Sequence, residues 1–183
     1  MPLRALCEGD HMKNLTLPLS KDEIENLRAG DGVYLTGVIL TARDCAHKRI
    51  LSILQKGEKL PFEPEGAVIY YAGPCPAKPD KASGSCGPTT SARMESFAPV
   101  LLDLGLGAII GKGEMNDATR AAIAKNKSVY FAAIGGAGAL YGNAIKKSEC
   151  LAFPDLLSEA VYKLEVENFP VIVAYDCHGG SIY

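Results

Sequence analysis

Hydrophobic positions along this chain follow two periods, one typical of strands and one typical of helices. Residues 33–41 are mostly β-branched or aromatic and lie between glycines, which predicts a strand. Short apolar runs predict further strands at 66–73, 107–110, 128–134, 164–167 and 171–175. Residues 74–87, rich in Pro, Lys, Ser and Gly, are predicted to form a loop.

Helical patterns occur between these strands. Ser20 and Glu23 form a capping box, which predicts a helix over 21–28. Other helices are predicted over 46–55, 116–125 and 139–145, and over an apolar stripe from Met94 to Leu102 that ends at Gly105. Because strands and helices are mixed along the chain, we expect an α/β fold whose ligands bind at loops beyond the strand ends.

Length and charge restrict the class of protein. A chain of 183 residues is most simply one domain, here assigned to 17–183, with 1–16 as an N-terminal extension and Met12 as an alternative start. The net charge of -2 argues against nucleic acid as the main partner. No apolar run approaches the roughly 20 residues that span a bilayer, and no signal-peptide core is seen. We therefore expect a cytoplasmic protein.

The cysteines form no recognisable metal motif. None of the six is part of a C-x-x-C pair, and their spacing fits neither a zinc site nor an iron–sulfur run. We expect reduced thiols and no metal bound by this chain. They are Cys7, Cys45, Cys75, Cys86, Cys150 and Cys177.

The segment 87–94, Gly-Pro-Thr-Thr-Ser-Ala-Arg-Met, is the most informative motif. We predict that it opens directly into a helix, with Thr89 and Thr90 at the helix start and Arg93 one turn later. Backbone N–H groups at such a start favour anions, and a guanidinium fits a carboxylate or phosphate. The alternative is structural, because helix capping alone explains one hydroxyl.

Two further cations follow predicted strands. Arg43 either binds an anion or forms an exposed salt bridge with Asp44 or a helix carboxylate. Lys112 lies between two glycines, which would allow a ligand to approach the backbone closely. His47, four residues after Arg43, faces either the same pocket or the core. Two Arg, one Lys and a hydroxyl pair would together suit a small dicarboxylate.

Other polar groups favour structural interpretations. Asp176 and His178 are interpreted as a terminal turn rather than a catalytic pair. The turn at 136–138 lacks a full dinucleotide fingerprint, which favours tight packing or a backbone anion nest. Cys86 would need a neighbouring base to act as a nucleophile, and none is identifiable.

These motifs also carry a family resemblance. Residues 41–49 (Thr-Ala-Arg-Asp-Cys-Ala-His-Lys-Arg), the 87–94 segment and 111–113 (Gly-Lys-Gly) occur in the order seen in class I iron–sulfur fumarases and L-tartrate dehydratases. The chain resembles their β subunit, or C-terminal domain, from about Leu17 to Tyr183. The ending 176–183 resembles that family's D-x-H-G-N terminus, with Gly180 replacing the Asn.

The resemblance implies a three-layer swivelling β/β/α domain with a mixed sheet. It implies a hydro-lyase half-site that interconverts fumarate and L-malate, a step of the tricarboxylic acid cycle. A partner α subunit would hold a 4Fe-4S cluster whose open iron acts as a Lewis acid. Thr89 would be the general base, and Arg43, Arg93, Lys112 and Thr90 would bind substrate.

Alternatives to a fumarase subunit remain open at the sequence level. The β subunit of L-tartrate dehydratase shares these motifs, and a non-catalytic anion-binding or assembly module could keep the fold. We expect a hetero-oligomer with the α subunit, or a homodimer in isolation, and neither nucleic acid nor membrane as partner.

Overall fold

The computed structural model describes residues 12–183. Residues 1–11, which contain Cys7 and most of the predicted extension, lie outside the described residues. The strands are β1 (Lys13–Thr16), β2 (Gly32–Thr41), β3 (Val68–Tyr70), β4 (Ala108–Gly111), β5 (Val129–Ala132), β6 (Ile145–Ala152) and β7 (Val161–Tyr175). The helices are α1 (Lys21–Glu25), α2 (Asp44–Gln55), α3 (Ala98–Asp103), α4 (Asp117–Lys125) and α5 (Gly138–Ala144). Short 3₁₀ segments cover Ser91–Met94 and Pro154–Glu159.

The seven strands form one mixed sheet in the order β1-β2-β3-β4-β5-β7-β6. Strands β1 to β5 are parallel to their neighbours, whereas β7 is antiparallel to β5, β6 and β2. The pairing of β2 with β7 closes β2, β3, β4, β5 and β7 into a barrel-like ring. The predicted α/β fold with a mixed sheet is confirmed.

Alternating side chains of the ring strands supply two cores. On β3, β4 and β5, the residues Tyr70, Ile110 and Phe131 face the inner core, which they share with β2 and β7. Their neighbours Ile69, Ile109 and Tyr130 face an outer core shared with α2, α3 and α4. This period of two is what a strand buried on both faces requires.

Two strands were not predicted. The β1 strand is short, and it lies within the segment that the sequence assigns to an extension. The β6 strand is an edge strand with several exposed charged residues, so it lacks an apolar pattern. The predicted strands 164–167 and 171–175 are one strand, β7. Asn168, with φ of 50°, and Pro170 lie at an irregularity inside it, which hides its continuity in the sequence.

The predicted helix start at 89–90 is wrong. A four-residue 3₁₀ turn, Ser91–Met94, follows Thr90, and α3 begins only at Ala98. The Thr90 side chain makes no capping hydrogen bond. Residues 88–90 instead run beside the strand ends, where Pro88 pairs with Ala72 and Thr90 pairs with Lys112. The capping box of α1 is confirmed, although α1 ends at Glu25 rather than at 28.

Candidate active site

The carboxyl ends of β2, β3, β4 and β5 meet at one edge of the ring because these strands run parallel. Arg43 and Asp44 follow β2, and Lys112 follows β4. Residues 88–93 cross this edge between them. We refer to Arg43, Asp44, Thr89, Thr90, Arg93 and Lys112 as the strand-end cluster. This is the region where ligands bind in many α/β folds.

Backbone hydrogen bonds fix the crossing segment at the edge. The Thr89 N–H donates to the Tyr71 carbonyl at 2.6 Å, and the Ser91 N–H donates to the Lys112 carbonyl at 2.9 Å. In return the Lys112 N–H donates to the Ser91 hydroxyl at 2.9 Å. Thr89 and Thr90 are therefore held on a strand-like segment, not on a helix.

Ser91 was not predicted to matter, yet it anchors the cluster. Its hydroxyl is buried and lies 3.0 Å from the Tyr130 hydroxyl, which donates its own proton to the Gly113 carbonyl at 2.7 Å. A Cβ at Gly111 would lie 1.9 Å from this Ser91 oxygen, so only glycine fits there. Gly111 therefore allows a close approach of the Ser91 side chain.

Arg93 forms an ion pair with Asp44 through one hydrogen bond and one further close contact. Its Nε donates to Oδ1 at 3.1 Å, and its Nη2 lies 2.8 Å from Oδ2. This pair joins the 87–94 segment to the start of α2. The Arg93 side chain remains 51% exposed, whereas that of Asp44 is 21% exposed.

Arg43 is held differently. Its Nη2 lies 3.6 Å from Glu159 Oε1, and its buried Nε has no hydrogen-bond partner in the described chain. Glu159 also accepts the Cys45 N–H at 3.0 Å. Partial burial raises the pKa of Glu159, but the hydrogen bonds from Cys45 and the charge of Arg43 outweigh it and leave the pKa below its usual value. The Arg43 salt bridge is therefore made with Glu159 rather than with Asp44, and nothing in the sequence indicated it, because Glu159 is distant along the chain.

Lys112 is half-buried beside the glycine turn that follows β5. A Cβ at Gly135 would lie 3.0 Å from Lys112 Cδ and 3.9 Å from Nζ. Within residues 12–183, no carboxylate lies at salt-bridge distance from Lys112 Nζ. Lys112 thus supplies an ammonium group that has no carboxylate partner within the described residues.

His47 lies in the core rather than in the cluster. Its ring is fully buried, stacked on Phe97 and edge-on to Tyr71. Nδ1 lies 2.9 Å from the Arg43 carbonyl, so Nδ1 carries the proton. Burial lowers the pKa of His47 to about 4, although the Arg43 carbonyl and the Asp44 charge act in the opposite direction. The ring is therefore neutral near pH 7.

The remaining polar candidates have structural roles. Asp176 Oδ1 accepts the N–H groups of His178 and Gly180, and its Oδ2 accepts that of Ala29. Burial raises the pKa of the Cys86 thiol to about 12, which excludes a thiolate near neutral pH. A Cβ at Gly180 would lie 2.3 Å from Asp176 Oδ2, so the turn itself requires glycine there.

Neither a metal centre nor a membrane segment is built from the described residues. Within 12–183, no group of three or more His, Cys, Asp or Glu side chains is arranged to hold a metal ion. The cysteines in that part of the chain therefore do not fit an iron–sulfur cluster. No helix in the same range is long and apolar enough to cross a bilayer.

The ring and its strand-end cluster define an α/β domain with a cationic, hydroxyl-bearing edge suited to small anions. A family model described as Fumarase C-terminus matches residues 5–183, and the chain belongs to this family. A Methanocaldococcus jannaschii protein named for the beta subunit of L(+)-tartrate dehydratase is 44% identical over 171 residues, which are 90% of this chain and 88% of that protein.

Two relatives are named fumarate hydratases. Fumarate hydratase 2 of Leishmania major is 37% identical over 174 residues, which are 93% of this chain and 31% of the relative. The anaerobic class I fumarate hydratase of Escherichia coli is 34% identical over 186 residues, which are 99% of this chain and 34% of the relative. The chain thus spans about a third of the length of these two enzymes.

Proposed function

We propose that this chain is the β subunit of an iron–sulfur hydro-lyase that interconverts fumarate and L-malate, and that it supplies the carboxylate-binding half of the active site. The observation that carries the proposal is the strand-end cluster, in which Arg43, Lys112 and the segment that holds Thr89, Thr90 and Arg93 lie at the same edge of the ring. Two guanidinium groups and one ammonium group match the two negative charges of a C4 dicarboxylate. Membership in the Fumarase C-terminus family and the names of the relatives support the reaction class.

In this proposal the cationic side chains bind and orient the substrate. Arg93 and Arg43 each take a carboxylate, and Lys112 adds positive charge close to the backbone of Thr90. Fixing both carboxylates positions the carbon that loses its proton, which lowers the entropy cost of reaching the transition state. Thr90 contributes an exposed hydroxyl at the edge of the cluster.

Thr89 is the proposed general base. A Thr hydroxyl is a weak base at neutral pH, so its deprotonated form needs stabilisation. In this proposal, the positive charges of Lys112 and Arg93 stabilise the deprotonated Thr89 hydroxyl. Thr89 is half-buried, its backbone is fixed by Tyr71, and no side chain in the described range accepts a hydrogen bond from its hydroxyl. Its oxygen is thus available to a substrate.

A partner α subunit is the proposed source of the 4Fe-4S cluster, because the described residues of this chain do not form a ligand set for it. The relative named as a subunit beta supports a two-subunit arrangement. Closure of this domain over the partner would exclude water from the bound substrate. The swivelling motion, the cytoplasmic location and the place in the tricarboxylic acid cycle stay predictions from the sequence.

A second candidate function is the β subunit of L-tartrate dehydratase, which would form oxaloacetate. It is favoured by one observation: the relative with that name has 44% identity to this chain, against 37% and 34% for the two fumarate hydratases. The two substrates differ by one hydroxyl, and the strand-end cluster binds the carboxylates that they share.

The test is anaerobic co-expression with the partner subunit, followed by assays on fumarate, L-malate and L-tartrate. We expect turnover of fumarate and malate by the complex and none by this chain alone. Turnover of L-tartrate by the complex, without turnover of fumarate or L-malate, would establish the second candidate. Inactivity of the complete, cluster-loaded complex on all three substrates would favour a non-catalytic module.

A further inference from the structure

Both guanidinium groups of the strand-end cluster already contact a carboxylate of this chain, but the two contacts differ. Arg43 lies 3.6 Å from Glu159, a loose contact through one nitrogen. Arg93 is bound through Nε and Nη2, at 3.1 and 2.8 Å, to the two oxygens of Asp44. The second contact combines one charge-assisted hydrogen bond, from Nε to Oδ1, with a close approach of Nη2 to Oδ2, and together they restrict the orientation of the guanidinium.

The ion pair leaves one edge of Arg93 open. A guanidinium carries five N–H groups, and Asp44 faces the edge formed by Nε and Nη2. The other edge, formed by Nη1 and the second hydrogen of Nη2, can bind another carboxylate through two parallel hydrogen bonds. Because the Arg93 side chain is half-exposed, that edge is accessible to a ligand.

Asp44 is itself well fixed. It is the first residue of α2, where a negative charge is favoured by the helix dipole. The residues on either side are anchored too, because the Arg43 carbonyl accepts the His47 N–H at 2.9 Å and the Cys45 N–H donates to Glu159. A flexible Arg side chain held by such a carboxylate loses its rotamer freedom on folding rather than on binding.

We propose that Asp44 is a positioning residue, whose ion pair with Arg93 presents the free edge of that guanidinium to a substrate carboxylate. The inference rests on the proposed function, since it takes Arg93 as a carboxylate-binding residue. Asp44 itself does not touch the substrate in this account. It acts only through Arg93.

The chain offers a matched control. Arg49, also on α2, forms a bidentate pair with Asp155 through Nη1 and Nη2, at 2.7 and 2.5 Å. Asp155 is 61% exposed and lies outside the strand-end cluster. Asp155→Asn therefore removes the same kind of ion pair from the same helix without touching Arg93.

The experiment is a double-mutant cycle in the complex with the partner subunit, with kcat and KM measured on the active dicarboxylate. Arg93→Ala is expected to lower kcat/KM by about 100-fold or more. Asp44→Asn is expected to lower it by about 10- to 100-fold, mainly through KM, because the charge-assisted bonds are lost. The kcat/KM of the double variant should lie within about twofold of that of Arg93→Ala, because both substitutions remove the same Asp44–Arg93 interaction.

Several outcomes overturn the inference. A double variant whose losses multiply would show that Asp44 acts independently of Arg93. A lower KM in Asp44→Asn would show that Asp44 competes with the substrate, and an equal loss in Asp155→Asn would show that the effect comes from α2 stability. Near-normal kcat/KM in Arg93→Ala would instead refute the site of the proposed function.

A second readout does not depend on activity. In the full chain labelled with ¹⁵N arginine, the Arg93 Nε–H resonance should exchange with water at least about tenfold faster in Asp44→Asn than in the unsubstituted chain, because its charged acceptor is lost. The Arg49 resonance serves as the internal reference. Unchanged exchange at Arg93 would contradict the inference even if the complex were inactive on every dicarboxylate.

Discussion

Two polar regions of this chain, the C-terminal turn around Asp176 and the strand-end cluster around Lys112, use their polar groups in opposite ways. In the turn, both Asp176 oxygens accept backbone N–H groups, and the His178 ring contacts the Glu25 carbonyl. In the cluster, Lys112 has no carboxylate at salt-bridge distance within residues 12–183. The buried Nε of Arg43 has no hydrogen-bond partner in that range either.

This difference distinguishes polar groups that stabilise the fold from polar groups that can bind a ligand. Groups whose hydrogen bonds are complete within the chain stabilise the fold and have nothing left to offer a ligand. Charged groups that have no partner in the chain and are open to solvent bind water instead, and an anion can displace that water. Substitutions in the turn should therefore change stability, whereas substitutions in the cluster should change binding and catalysis.

Asp176→Ala should have the largest effect on folding. It leaves three partly buried backbone N–H groups without their acceptor, so we expect a loss of about 2–4 kcal/mol in the free energy of unfolding. Urea unfolding of the isolated chain measures it. A loss below about 1 kcal/mol would show that the turn is not the structural unit described here.

Lys112→Met should have a large effect on activity and little effect on stability. Methionine keeps an aliphatic chain over Gly135 but removes the charge, so kcat/KM of the complex should fall by about 100-fold, or about 3 kcal/mol. The free energy of unfolding should stay within about 0.5 kcal/mol. Equal losses of activity and stability would show that Lys112 mainly stabilises the fold, as Asp176 does.

His47, in the core beside the cluster, should make the free energy of unfolding depend on pH. Because burial lowers its pKa from 6.5 to about 4, the unfolded chain binds this proton first as pH falls. The contribution of His47 to stability is therefore complete above pH 6.5 and is lost between pH 6.5 and 4, by about 2–3 kcal/mol at pH 4.5.

The measurement compares unfolding of the unsubstituted chain and His47→Gln at pH 7 and pH 4.5. The variant should lose less stability on acidification than the unsubstituted chain. Asp44, which lies at the same helix start, is unchanged in both, so the difference between the two curves isolates His47. Parallel pH dependences would show that His47 takes up its proton without unfolding.

Ser91→Ala and Thr90→Ala should differ although the residues are adjacent. The buried Ser91 hydroxyl accepts a hydrogen bond from the Lys112 N–H and forms another with the Tyr130 hydroxyl, so its loss should cost about 1–3 kcal/mol of stability. The Thr90 hydroxyl caps no helix, so its loss should cost less than about 0.5 kcal/mol. Thermal unfolding of both variants measures this, and equal shifts would restore the capping interpretation of Thr90.

The sequence predicted β2 to β5 because these strands are apolar runs rich in β-branched and aromatic residues. It also placed Arg43, Thr89, Arg93 and Lys112 beyond strand ends, and the parallel order of the strands brings them to one edge. It did not predict β6, whose pattern is that of a charged edge strand. It missed the 3₁₀ turn at Ser91–Met94, because contacts with Lys112 and Tyr130, far along the chain, decide that geometry.

The ion pairs of the cluster depend on the same kind of distant contact. The Asp44–Arg93 pair spans 49 positions, and Glu159 reaches Arg43 from an irregular turn near the C-terminus. No local pattern specifies such a partner, although the adjacent Arg43 and Asp44 already mark the place where it would be found. The roles of these residues in catalysis stay predictions.

The most direct test of the central claim, that the strand-end cluster is the carboxylate-binding half of an active site, is Arg93→Ala in the complex with the partner subunit. Its kcat/KM on the active dicarboxylate and its free energy of unfolding are measured in parallel. We predict a loss of about 100-fold or more in kcat/KM, with stability changed by less than about 1 kcal/mol because the ion pair is half-exposed. Near-normal kcat/KM in a folded, cluster-loaded complex would contradict the claim.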